Sequence, residues 1–241
     1  MRGGALLALA AASLAAAGGC AQDLEAHVRV GPRPPNPDSD TPRYVDRGTR
    51  TPPPGYTVDR FRLVLRNVRL QSDPTDAGEP TADVRVVVPG PILVDLSGAQ
   101  LAPGALTRIM SGYGIGAKGF YELDLDLSPV TDADAAAHPE LAPLLGKTFV
   151  IEGRRPDGSA FTFASSLQQT LLRPSVYRMG MNHNNLDVNL DTDLWLIGPG
   201  GAPADPGSDD PGTRAVIEEN VAGSIDAYDD SNVDGEPDPL A

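Results

Sequence analysis

The feature that most limits what this chain can fold into is its density of chain-breaking residues. It carries 24 prolines and 26 glycines among 241 residues, about one position in five, where an average chain has about 12%. Proline is tolerated in a helix only in the first turn and hardly at all in a central strand. Long helices are therefore excluded, and short strands between frequent turns remain. The residues between the breakers agree. From Val58 to Leu70 apolar residues alternate with basic ones at period two, the signature of a half-buried strand. The phase slips between Leu65 and Val68, which predicts a bulge near Arg66-Asn67. Val84–Val88 and Ile92–Leu96 read as two short strands parted by Pro89-Gly90-Pro91. Phe120–Leu127 sets Leu123, Leu125 and Leu127 on one face and Glu122, Asp124 and Asp126 on the other. Lys147–Glu152 and Ala160–Ala164 flank Arg155-Pro156-Asp157-Gly158, a β-turn order that joins a hairpin. Leu186–Asp191 and Thr192–Leu196 alternate again. Short strands with turn signals between them predict a mainly β fold, an antiparallel β-sandwich over residues 57–198.

Helical pattern is confined to two places. Glu140–Leu145 reads as a single turn, and 213–228 carries Val216, Ile217, Val221 and Ile225 at helical spacing behind a Thr213 cap. A Gly/Pro/Asp-rich loop, 199–212, precedes that C-terminal helix, and an acidic tail, 229–241, follows it.

The N-terminus adds location to fold. Arg2 opens a short basic segment, Ala5–Ala17 is a nearly continuous apolar run, and Ala17-Gly18-Gly19 stands before Cys20, the single cysteine of the chain. The run falls short of the ~20 apolar residues that span a bilayer. This order resembles the signal peptide and lipobox of bacterial lipoproteins, with Ala17 where that family often has leucine. The resemblance implies removal of residues 1–19, a lipid thioether on Cys20 (with palmitate among the acyl chains), and, with Ala21 rather than aspartate next, residence in the outer membrane of a Gram-negative envelope. Several acyl chains make such an anchor effectively permanent. Residues 20–56, rich in proline from Pro32 to Pro54, then read as a disordered tether.

The segments "LVLRNVRLQ", "ILVDLSGAQL", "GFYELDLDLSPV" and "LDVNLDTDLWL" also resemble an uncharacterised domain family of bacterial lipoproteins. That likeness implies a transthyretin-like or immunoglobulin-like sandwich and carries no chemistry.

The formal charge is −14, and −15 once residues 1–19 and Arg2 with them are removed. Such a surface repels nucleic acid and attracts cations. Nucleotide binding is excluded as well. Gly114-Ile115-Gly116-Ala117-Lys118-Gly119 has the G-x-G-x-x-G spacing but precedes a strand, whereas that fingerprint works between a strand and a helix N-terminus. No G-x-S-x-G elbow occurs, and lipidation would consume the only thiol. Asp124 and Asp126 read as the solvent face of a strand rather than a hydrolase dyad.

Two metal candidates remain. Asp230, Asn232, Asp234, Glu236 and Asp238 place oxygen donors at alternating positions with Gly235 at the turn, an arrangement that resembles the calcium loops of EF-hands and thrombospondin type 3 repeats without the final bidentate glutamate. His183, with Met179 or Met181 and the neighbouring acids Asp187, Asp191 and Asp193, is the second. The sequence thus predicts a non-enzymatic envelope lipoprotein with a binding or structural role, calcium as its candidate cofactor, and the membrane plus an envelope protein or glycan as partners. The alternative is a metal-handling or carbohydrate-acting envelope protein using His183 and its acids.

Overall fold

The structure, a computed structural model, describes residues 22–32, 55–71, 85–115, 118–179, 185–230 and 232–234. The chain is mainly β, with two sheets packed around a shared core and a short C-terminal helix. The smaller sheet has four strands in the order β11 (Ile225–Asp229), β10 (Asn185–Leu190), β1 (Gln22–Val30), β5 (Leu106–Ile115).

The larger sheet is built on the fifteen-residue strand β2 (Thr57–Gln71). Its first half is flanked by β4 (Ile92–Ser97) and β7 (Phe149–Arg154), its second by β3 (Arg85–Val88) and β6 (Lys118–Leu127). Beyond these lie β8 (Ala160–Ser165) against β7 and β9 (Gln169–Met179) against β6.

The period-two pattern of β2 does what it predicts. Phe61, Leu63 and Leu65 are buried, and after the slip Val68 and Leu70 take over the same face. The slip is a bulge between Arg66 and Arg69, with Asn67 in the left-handed region at φ 46°, where asparagine is tolerated better than most residues. The opposite face of β2 carries Arg60, Arg62, Arg66 and Arg69, each salt-bridged to an acid of a neighbouring element: Asp95, Glu152, Asp134 and Asp126 respectively. Asp124 and Asp126 are thus ion-pair partners of Arg69 in a charged outer face. Over the same outer face, α1 (Asp132–Ala137) and a 3-10 turn at Pro139–Leu144 cover a second apolar cluster of Val64, Val130, Leu141, Leu144 and Val150. The β7–β8 hairpin closes on the predicted turn, with the Gly158 amide donating to the Arg155 carbonyl at 2.8 Å.

Three expectations are corrected. Residues 22–30, read as the start of a tether spanning 20–56, form β1, an interior strand of the smaller sheet; Leu24, Ala26, Val28 and Val30 alternate into the core. Burying that apolar row against the main core stabilises the strand. The smaller sheet is also mixed rather than purely antiparallel, because β1 runs parallel to β10. Finally, the helix expected over 213–228 is α2 (Pro211–Ser224), capped by the Asp210 carboxylate accepting the Thr213 amide at 2.8 Å. Pro211 sits at its first position, where the missing N–H costs nothing. Residues 225–229 leave the helix because Ile225 and Ala227 also fit period two, and pairing with β10 satisfies their backbone.

Alpha-2 is fastened to the sandwich by polar contacts around Trp195. The indole Nε1 donates to Ser224 Oγ at 2.7 Å, and Asn220 Nδ2 donates to the Ile197 carbonyl at 2.7 Å. Trp195 packs against Phe61 with ring centroids 4.4 Å apart and the rings tilted by 44°.

Candidate functional site: a buried polar face on the smaller sheet

Period two gives each strand of the smaller sheet two faces. One joins the core; the other carries Glu25, His27 and Arg29 on β1, Asn185, Asp187 and Asn189 on β10, and Asp226 and Tyr228 on β11. Register lines them up in rows: Glu25 opposite Asn185, His27 between Arg108 and Asp187 with Tyr228 next, and Arg29 opposite Asn189 with Asp226 beyond. A polar strand face normally meets water. Here His27, Asn185, Asp187, Asn189, Tyr228 and the following Asp230 are all buried, and β9 lies against β11. Buried polar groups are costly unless hydrogen-bonded, so each row can be judged by what its atoms meet.

The Arg29 row is satisfied. Arg29 Nη1 donates to the Pro32 carbonyl at 2.8 Å and to Asn189 Oδ1 at 3.3 Å, and Asn189 Nδ2 donates to the Gly31 carbonyl at 3.1 Å. This ties the strand end to the turn that follows it.

The His27 row is different. Asp187 has no exposed surface, and neither of its carboxyl oxygens meets a donor at hydrogen-bond geometry; the same holds for His27 Nδ1. The two groups face each other at 3.7 Å, and His27 Nε2 lies 3.9 Å from Glu25 Oε2. Burial is the main force that pushes Asp187 up to about 8; a hydrogen bond shared with the neighbouring Asp230 carboxyl in the protonated form and the charge of that carboxyl add to it, while the Tyr228 hydroxyl and the Arg29 charge act the other way. Burial lowers His27, against the opposing pull of Glu25 and Asp230. Asp226 is half-buried, and loss of solvent raises it to about 6. Perturbed groups gathered in one place mark a candidate functional site.

Of the sequence candidates, Cys20, His183, Met181, Glu236 and Asp238 lie outside the described residues. Asp230 is buried and its Oδ1 accepts the Asp234 amide at 3.1 Å; Asn232 Oδ1 accepts the same amide at 3.1 Å, and Asn232 and Asp234 are exposed. Asp191 accepts the Asp193 amide at 3.2 Å and caps a 3-10 turn, a local structural role. The structure brings together Asp187 and Asp230, taken from the two separate metal candidates, and adds His27. The last was missed because it fell within the assigned tether. Its signal was present in Leu24-Glu25-Ala26-His27-Val28-Arg29-Val30, which alternates as cleanly as any strand in the chain. Gly114 and Gly119 of the G-x-G-x-x-G run lie on β5 and β6, two strands rather than a strand and a helix.

Among the described residues, no three His, Cys, Asp or Glu side chains already converge at metal-ligand spacing, and no helix is long and apolar enough to cross a membrane. Compared with protein-family models, with curated proteins and with solved structures, the chain matches none of them.

Proposed function

We propose that this chain is a lipid-anchored envelope protein with a non-enzymatic binding or structural role, its two-sheet body held at the outer membrane through Cys20. The observation that carries the reading is the order of residues 1–20: a basic start, an apolar run too short to span a bilayer, three small residues, then the only cysteine in the chain. Calcium at the acidic C-terminal residues is its candidate cofactor.

One structural fact changes the form of the proposal. Only Ala21 separates Cys20 from β1. An anchored chain therefore carries no long spacer between lipid and body, and the body sits close against the membrane surface. The proline-rich residues between β1 and β2 become an internal connection.

The test is Cys20→Ser in the full chain, followed by membrane fractionation and metabolic labelling with palmitate. The native chain is expected to sediment with membranes and take up label. The variant is expected to lose both, and a variant that stays labelled overturns the anchor.

A further inference from the structure

We infer that His27 and Asp187, joined by Asp230, form a binding site for a single divalent cation of the zinc type on the buried polar face of the smaller sheet. The inference concerns residues on β1, β10 and the end of β11, and it stands whether or not Cys20 is lipidated.

The spacing comes first. Two donors bound to one tetrahedral zinc at about 2.1 Å stand about 3.4 Å apart. His27 Nδ1 and Asp187 Oδ1 are 3.7 Å apart, too far for a hydrogen bond and a few tenths of an ångström from sharing an ion. Both atoms are buried and without hydrogen-bond partners. A fully buried carboxyl with neither oxygen satisfied is rare in folded proteins and calls for a compensating group. A cation supplies it and gives the His27 nitrogen a partner as well.

The surroundings fit the same role. Zinc-bound histidine normally uses one ring nitrogen on the metal and turns the other toward a carboxylate that fixes the ring. Glu25 Oε2 stands 3.9 Å from His27 Nε2, on the side away from Asp187. Asp230 is the third donor: its charge acts on both His27 and Asp187, and it directly follows β11, the strand that pairs with β10. Binding requires Asp230 to draw closer, since three donors do not yet converge. One imidazole with two carboxylates favours a borderline ion over calcium, which prefers oxygen alone, and an Asp230 bound here is withdrawn from the C-terminal calcium loop.

The test uses the full, tag-free chain in detergent, stripped with chelator and titrated with zinc chloride by calorimetry, with zinc-edge X-ray absorption to count imidazole ligands. We expect one zinc per chain with one imidazole, and at least tenfold weaker binding in Asp187→Asn and in His27→Gln. Glu25→Gln, which leaves the first ligands intact, should weaken binding less. No zinc uptake by the native chain overturns the site and leaves Asp187 and Asp230 as a carboxyl pair sharing a proton. An imidazole signal that persists in His27→Gln overturns it too, by assigning the ligand to another histidine. Should Asp187→Asn fail to fold, the absorption comparison between native chain and His27→Gln decides alone.

Discussion

At Gly153 a side chain has no room. A Cβ there would overlap the Thr57 carbonyl and press on the Phe161 ring, at the point where Val58 pairs with Gly153 beside a register shift between β2 and β7. The carbonyl belongs to the backbone and cannot rotate away, so Gly153→Ala is expected to destabilise the fold by about 1–3 kcal/mol, read as a lower midpoint in urea unfolding. An unchanged midpoint would mean that the two strands can part freely there. Asp126 makes a different point at the same scale. It accepts from Arg69 through two nitrogens at 3.0 and 3.1 Å, from Asn67 at 2.8 Å and from Thr170 at 2.8 Å. The Arg69 hydrogen bonds, more than the others, hold it at about 2 against an ordinary 3.8, with burial opposing. The folded state therefore favours its ionised form. That stabilisation is complete above about pH 4 and disappears as pH falls through about 2. Urea unfolding at stepped pH should show Asp126→Asn with a shallower loss of stability between pH 4 and pH 2 than the native chain; identical acid slopes would count against the pairing.

Among the elements, β1 carries consequence out of proportion to its nine residues. It lies between β10 and β5, and its apolar row packs in the main core with residues of both sheets. A chain beginning at residue 56, a natural truncation if the preceding residues were only a tether, would lose the strand that joins β10 to β5. Such a chain is expected to lack a cooperative thermal transition and to bind a hydrophobic dye, and a sharp melt would show the smaller sheet to be self-sufficient without β1. The elements that were legible are those whose signals are local. The β2 bulge shows as a phase slip within four residues, and the β7–β8 turn shows as Pro-Asp-Gly. The boundary between α2 and β11 was not legible, because Val221 and Ile225 satisfy a helical period while Ile225 and Ala227 satisfy a strand period. Pairing with β10 settles that competition.

For the whole molecule, the sequence by itself determined the mainly β class. Frequent prolines and glycines forbid long helices, and period-two runs require sheets, both within a span of a few residues. It also determined the order of charges and small residues around Cys20 on which the anchoring proposal rests. Only the tertiary structure decided which strands are neighbours. Arg29 and Asn189 hydrogen-bond across 160 positions, and nothing within either segment names the other. It likewise decided that a polar strand face is buried: alternation in sequence reports that two faces differ, whereas burial depends on what packs over each. His27, Asp187 and Asp230 became one cluster for that reason, since backbone pairing of β1, β10 and β11 carries them together while core burial of the opposite faces fixes the register.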